Sequence, residues 1–466
     1  MQVPILSGIY ADNKAQVRTS YPVNMIPVPV RSGISNGYLR PGYGLVQQGV
    51  GPGADRGGIE WRGVEYRVMG STLVSIDASG GLSVLGNVGT GGWCSFDYSF
   101  DRLSISSGGR LYYWNGSTLT QVTDSDLGQS IDHVWVDGYF MSTDGTSLIV
   151  TELTDPTQVN PLKYGSSEVD PDPIVCVLKL RGEIYAGNRH TIEVFANVGG
   201  DFFPFSRVDG AQVQRGVIGT HAACVFGDVI AFVGSGRNEP PAVHIAGSGS
   251  SEKISTDEID KILATYTEAQ LSQVVVESKM TGSHAHLYIH LPDRCVVYDL
   301  NGSKATGEHV WLTLTTATQG FEQYRAKGHV WCYDRWNAAD PVAGKYGYLS
   351  DDVSSHWGTH VRWEFGTAIV YNEGKGAIIN ELELVPLSGQ VAMTDNPTIC
   401  TSYSADGELW STQRWISAGK QGERAKRLTW FQCGMMRNWR IQRFEGDSRA
   451  HVSVLRLNMA VDPLVY

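Results

Sequence analysis

Charge is scarce in this 466-residue sequence: Asp, Glu, Lys and Arg together make 18%, and 48 acidic residues outnumber 37 basic ones, for a net −11. A chain so short of positive charge lacks the general surface that holds phosphate backbones, which argues against a non-specific nucleic-acid binder. No cysteine pair is spaced CxxC. The seven cysteines (Cys94, Cys176, Cys224, Cys295, Cys332, Cys400, Cys433) are scattered and odd in number, neither a disulfide framework nor a zinc site. They read as reduced, mostly buried thiols of a protein made in a cytosol. No apolar run approaches bilayer-spanning length, and the opening MQVPILSGIYADNK lacks the basic start and apolar core of a secretory signal. GxSxG, HExxH, the P-loop and a strand–helix GxGxxG are missing too. No catalytic residue, metal or cofactor is expected, and the chain reads as a binder or structural part rather than an enzyme.

What the sequence has in quantity is glycine, 54 residues, set in tight turns between alternating strands. From about Trp61 to Asp352 a strand–turn–strand unit recurs: YRVMGSTLVSID (66–77), RLYYWNGSTLTQVT (110–123), YFMSTDGTSLIVTEL (139–153), EIYAGNRHTIEVFA (183–196) and HLYIHLPDRCVVYDL (286–300). Asn115-Gly116 and Asp144-Gly145 stand where two-residue hairpin turns need positive φ. Copies start roughly 30–50 residues apart, the period of propeller blades or similar β arrays. A hairpin pair cannot bury both faces alone, and packing blades in a circle supplies the core. The expected fold is therefore all-β: a β-propeller-like array with one inserted helix (about 255–272) and a C-terminal β-sandwich-like domain. A long irregular sandwich is the rival architecture. Boundaries are expected at 1–60 for an N-terminal extended arm and the first strands, 61–355 for the propeller-like domain and 356–466 for the C-terminal β domain. The last strands of the chain can alternatively complete a propeller blade.

The inserted helix, STDEIDKILATYTEAQLS, has a capping box in Ser255 and Glu258. Ile259, Ile262, Leu263 and Tyr266 share one face, and acids fill the first turn. Thr267 and Gln270 can restart a second short turn. The helix is expected to pack on a sheet and to carry no chemistry.

Two segments are candidate interaction sites. YPVNMIPVPV (21–30) holds Pro22, Pro27 and Pro29 among apolar residues, so it is neither a central strand nor a helix. It reads as an extended arm, with Pro22, Asn24 and Met25 as contacts to another subunit or, equally, lying across its own domain. Between Ser411 and Arg456 ten Lys or Arg face three acids, a local +7 that leaves −18 for the rest. Arg424, Lys426, Arg427, Arg437, Arg440 and Arg443 are expected to meet the acidic surface of a neighbouring subunit or partner rather than phosphate.

Other constellations read as structural. SADGELW (404–410) and STDGTSL (142–148) approach the Asp-box of sialidases, but Gly directly follows Asp, as in a DG turn. Asp170 and Asp172 alternate with prolines and read as a rigid acidic loop. His284, His286 and His290 share one face of a strand, which permits zinc in principle, though a mixed sheet face is the reading favoured here.

In order along the chain, PVNM (22–25), NGYLRPGYG (36–44), RGVEYRVMGSTL (62–73), QRGVIGTHAACVFGD (214–228), PAVHIAGSGSSEKIST (241–256) and YTEAQLSQVVVES (266–278) lead into HLYIHLPDRCVVYDL. This series resembles the tail hub, or packaged-DNA stabilisation, protein family of short-tailed bacteriophages. The resemblance runs from about residue 21 to 300 and fades toward the basic C-terminal portion. It implies a homo-hexameric ring in the virion tail, assembled in the bacterial host cytoplasm. Such a ring sits below the portal and its adaptor proteins and closes the channel after genome packaging. It holds a tail needle or plug, carries tailspikes or fibres, and lets genomic DNA pass its lumen without sequence-specific binding. An acidic body suits such a lumen, because like charge suppresses adhesion to phosphate. A β-propeller glycan-active enzyme and a cellular propeller interaction module are the alternatives.

Overall fold

The computed structural model describes residues 2–3, 22–29, 35, 37–200, 202–247, 249–282, 284–372, 375–387 and 395–464. Residues Tyr21, Val30, Asn36 and Ser248 of the motifs above lie outside them.

Short alternating strands separated by turns fold into antiparallel meanders, and seven such sheets form a propeller among the described residues. Six blades follow one another at residues 55–87, 95–121, 132–166, 174–207, 216–253 and 275–314. Their innermost strands, with that of the seventh blade, contact one another in a closed cycle: Asp55–Trp61, Ser95–Tyr98, Asp132–Val136, Ile174–Leu180, Ala223–Phe226, Val275–Thr281 and Lys327–Cys332. The seventh blade takes three strands from residues 327–350 and its outermost strand, Gly44–Val50, from near the other end of the chain. Pairing Gly44–Val50 with Lys345–Ser350 ties the two ends of the propeller sequence together by backbone hydrogen bonds within one blade. The propeller thus recruits a strand upstream of residue 61, and the strands that complete it come from the N-terminal side, not from the end of the chain.

Gly116 and Gly145 do adopt positive φ, +97° and +99°. The turns are longer than two residues, however. Asn115 Oδ1 accepts from the N–H groups of Ser117 (3.0 Å) and Thr118 (2.8 Å), and Asp144 Oδ1 from those of Thr146 (2.8 Å) and Ser147 (2.7 Å). A side chain that supplies the turn's acceptor stabilises a wider loop.

The C-terminal residues form a two-sheet sandwich. In one sheet the long strands Ala377–Leu387 and Ser453–Pro463 pair, with Leu428–Phe431 on one side and Tyr38–Pro41 and Met25–Val28 on the other. The facing sheet holds Arg362–Gly366, Trp439–Asp447, Thr398–Ser404 and Arg414–Ser417. Leu382, Leu384, Phe365, Phe444 and Trp430 fill the space between, with Phe365 stacked on Phe444 at 5.2 Å. Met25 and Leu39 join this core, so the propeller is in effect inserted between sandwich strands Tyr38–Pro41 and Arg362–Gly366. Pro27 occupies the edge strand of its sheet, where a missing N–H is tolerated.

The inserted helix is two helices, α1 (Asp257–Leu263) and α2 (Glu268–Leu271), between the fifth and sixth blades. A third, α3 (Leu300–Thr306), which alternation in the sequence concealed, follows strand Cys295–Asp299. Ile259 and Leu263 are fully buried, with Ile262 and Tyr266 packed at the margin of the same cluster. The capping box is at Thr267 and Gln270, not at Ser255 and Glu258. Ser255 Oγ instead donates to Asp260 Oδ1 (2.6 Å) and accepts from Val243 N (3.2 Å), tying the helix start to the fifth blade.

Candidate interaction surfaces and buried polar clusters

The proline-flanked segment is an internal staple. Val23 exchanges backbone hydrogen bonds with Glu364 of the sandwich (2.8 and 3.1 Å), and Asn24 N donates to Thr313 O of the sixth blade (2.8 Å). The Asn24 amide donates to Thr315 O (2.9 Å) and Arg362 O (2.7 Å) and accepts from Thr315 N (3.0 Å), so one side chain joins propeller and sandwich. Asn24 holds φ at +51°, a left-handed conformation that asparagine tolerates better than most residues. Pro22, Asn24 and Met25 are buried in their own chain, which corrects their assignment as contacts to another subunit: their polar and apolar groups are already used.

The basic segment divides. Arg440 is buried at 2% exposure, donates to Cys433 O (2.6 Å) and Gln442 Oε1 (2.8 Å) and lies over the Tyr403 ring at 3.8 Å. Burial pushes its pKa down to about 10. It is a core arginine and cannot reach a partner, a second correction. Arg443 pairs with Glu445 (2.9 Å) and stacks on Trp410. Lys426 pairs with Glu423 (3.4 Å), and Arg427 with Glu383 (2.5 Å) and Glu381 (3.3 Å). Arg424 and Arg437 are exposed and have no ion-pair partner among the described residues. Glu423 and Glu445 are already counted in the local +7, so among these pairs only Arg427, held by Glu381 and Glu383 outside the segment, draws on further acids. Exposed apolar side chains share this unit: Phe431, Trp415, and Met435 paired across the strands with Ile378. Arg414 fixes the loop beside them by donating to Phe431 O (2.6 Å) and Gln432 O (3.1 Å).

Residues that sequence reasoning passed over pin the propeller. Arg67, fully buried, bonds Asp55 (3.2 Å), Glu65 (2.5 Å) and Gly328 O (2.6 Å), joining the first blade to the seventh. Burial pushes Asp55 up to about 6 although Arg67 opposes the shift. Arg56 donates to the carbonyls of Gly70, Gly89 and Gly92 and to Ser107 Oγ, joining the first blade to the second. The available signal was charge at inward positions of alternating strands, Glu65 and Arg67 in VEYRVM.

The axis of the propeller holds an open cavity of about 530 Å³, bordered by Trp93, Asp132, His133, His221, Glu277 and His329. His133 sits between Ser106 Oγ on Nδ1 (2.7 Å) and Ser104 Oγ on Nε2 (2.7 Å), and burial pushes its pKa down to about 3. With a serine on both nitrogens it lacks the carboxylate that orients a catalytic imidazole. Asp170 is held by Arg237 (2.6 and 2.8 Å) and Asp172 accepts from His190 N (2.5 Å), so neither points to a cation. Asp406 accepts from the N–H groups of Glu408 and Leu409 (both 2.8 Å), which makes SADGELW a turn.

His284, His286 and His290 do share a buried face, but they separate into two groups. His284 and His286 meet Asp299, whereas His290 meets Glu277 and His329. At about 3.4 Å per residue, six residues along a strand are too far apart for one ion.

Comparison with known proteins is consistent across both units. The family model described as bacteriophage P22 Gp10, beta-propeller, matches residues 1–354, and that described as bacteriophage P22 Gp10, beta-sandwich, matches residues 362–462. The tail hub protein gp10 of Salmonella phage P22 is 27% identical over 458 residues, 94% of each chain. Among solved structures, the Neurospora crassa Pan2 WD40 domain is similar at a TM-score of 0.42 and 10% identity, over 66% of this chain and 95% of that one. The N-terminal domain of Nup159 is similar at 0.41 and 7%, over the same shares.

Proposed function

The chain belongs to the bacteriophage P22 Gp10 family, and from that membership we propose that it is a structural tail hub protein of a virion tail, one subunit of a homo-hexameric ring that closes the head–tail channel after packaging and retains the DNA. The observation that carries this reading is the collinear match of both units, propeller and sandwich, to one tail hub protein over 94% of each chain. In the finer reading the ring docks on portal-adaptor proteins, holds a tail needle or plug, and presents its sides to tailspikes or fibres. It assembles in the host cytoplasm before release with the particle.

The physical features support this reading. A net charge of −11 suits a wall that DNA slides past. Arg424 and Arg437, with the exposed Phe431, Met435 and Ile378, give the sandwich the mix of apolar and arginine side chains enriched at protein interfaces. The neighbouring subunit's acidic surface is the proposed counterpart.

The test is electron microscopy of the purified protein and of particles lacking it. Six-fold rings that occupy the head–tail junction, and particles that lose their packaged DNA when the protein is absent, are the expected results. Monomers at assembly concentrations together with DNA-retaining particles would reject the proposal.

A further inference from the structure

The sixth blade turns an unusually polar face inward. Strands Val275–Thr281, His284–His290 and Cys295–Asp299 place Lys279, His286 and Asp299 in one cross-strand row, with His284 two residues along on the same face. His284, His286 and Asp299 are 4%, 1% and 0% exposed. Buried imidazoles ordinarily have both nitrogens satisfied. Among the described residues His286 has a hydrogen-bond partner on neither Nδ1 nor Nε2. Its Nε2 lies 3.6 Å from Asp299 Oδ2, which also meets His284 Nδ1 at 2.6 Å.

The other histidine–carboxylate group on this face also leaves two imidazole nitrogens without a hydrogen bond among the described residues, His290 Nε2 (3.6 Å from Glu277 Oε2) and His329 Nε2, but there no ring has both nitrogens bare and both carboxylate oxygens take N–H donors. Glu277 Oε1 accepts from Gly328 N (2.7 Å), and Oε2 from His329 N (3.1 Å) and His329 Nδ1 (2.5 Å). Three N–H donors account for that carboxylate without an ion.

At the first group, ordinary hydrogen bonding leaves His286 unexplained. We propose that His284, His286 and Asp299 bind one divalent transition-metal ion of the zinc class, with its remaining position open to the adjoining groove. Two imidazoles and a carboxylate are a ligand set zinc accepts, with bonds of about 2.0–2.2 Å. All three ligand atoms already lie within 4.8 Å of one another. Tetrahedral ligation places them roughly 3.3 Å apart, so the His284–Asp299 pair opens by several tenths of an ångström, the His286–Asp299 pair closes slightly, and the two imidazoles, stacked at 4.9 Å and 22°, turn about their side-chain bonds to bring their in-plane lone pairs onto the ion. Asp299 Oδ1 is held by Gly302 N (3.0 Å) at the start of α3, an outer-sphere bond that orients the carboxylate and leaves Oδ2 for the ion. Lys279 makes no hydrogen bond to the trio; its Nζ lies over the Tyr43 ring at 3.4 Å. His284 borders a groove of about 470 Å³ shared with Arg40, Tyr43, Trp331 and Trp336, which gives the ion its access path.

The experiment strips the full chain with a chelator and titrates it with zinc chloride by calorimetry and metal analysis. One ion per chain is expected. His286→Leu should weaken binding by more than the roughly 10–100-fold of an outer-sphere loss, while the metal-free variant unfolds at or above the wild-type midpoint, because no hydrogen bond is removed. Should that variant fail to fold, His286→Gln is expected to weaken binding in the same way. His290→Leu should keep one ion, and the cobalt(II)-loaded protein should lack a thiolate charge-transfer band. The proposal is overturned by absence of stoichiometric zinc, by undiminished binding in the His286 variant that folds, by loss of the ion in His290→Leu instead, or by a thiolate band, which would move the ion to a cysteine.

Discussion

At the scale of the residue, the side chains that matter most join units rather than face solvent. Arg67 neutralises two buried carboxylates where the first and seventh blades meet. Removing one member of a buried charge group costs about 3–5 kcal/mol, because the others are left uncompensated. Arg67→Met is accordingly expected to lose about that much in chemical denaturation at pH 7; a loss under about 1 kcal/mol would show that the cluster does not hold the ring. Asp55 has its folded-state pKa raised to about 6, so its contribution is present below its unfolded value and is lost as pH rises through about 6. Part of the variant's loss should therefore be recovered near pH 5. Asn24 teaches the same lesson from the polar side: an asparagine in a proline-flanked arm looks available, yet each atom of its amide group has a backbone partner.

At the scale of the element, local rules located structure well and assigned its details less well. Amphipathic spacing identified the helical segment and its buried residues, because a 3.6-residue period survives any environment. It misplaced the cap. Ser255 is drawn off by Val243 and Asp260, a tertiary competition that spacing cannot register. The working box at α2 predicts that Thr267→Ala costs about 1 kcal/mol in thermal unfolding, while Ser255→Ala acts instead through the contact between α1 and the fifth blade. If Thr267→Ala is silent, the α2 box is decorative. The histidines of HAHLYIH illustrate the converse: period-2 alternation put them on one face, but only the neighbouring strands decided which carboxylate each would meet.

At the scale of the whole molecule, charge reads differently from its sum. Arg440 is in the core, and Lys426, Arg427 and Arg443 are paired in the sandwich, which leaves Arg424 and Arg437, with Arg414 and Lys420, as exposed cations without an ion-pair partner among the described residues, beside exposed apolar groups. If the proposed subunit ring forms through this surface, the double reversal Arg424→Glu with Arg437→Glu is expected to weaken its assembly, more so at low salt, by sedimentation; assembly unchanged across salt would remove these residues from the proposed interface. A pH dependence follows from burial in the propeller and in the segment that leaves it. His133 and His356 are pushed down to about 3 and His244 to about 4, so each contributes stability above the ordinary histidine range that is lost as pH falls toward those values. Asp55 and Asp132, both raised to about 6, act with the opposite sign and smaller displacement. The melting temperature should fall from pH 7 to pH 4.5, and a rise would contradict the assignment of these histidines as buried and neutral.

By itself the sequence determined the all-β class, the repeat that becomes a propeller, the separate C-terminal sandwich, the helical insertion and the family. These follow from period, turn chemistry and motif order, all local along the chain. Only the tertiary structure decided that Gly44–Val50 closes the seventh blade, that Met25–Val28 and Tyr38–Pro41 complete the sandwich, and that Asn24 fastens the two units. Those outcomes depend on pairings separated by about 290 to 415 residues. A strand's alternation says that it has a buried face, but the partner that covers that face is chosen by the closure of the whole chain.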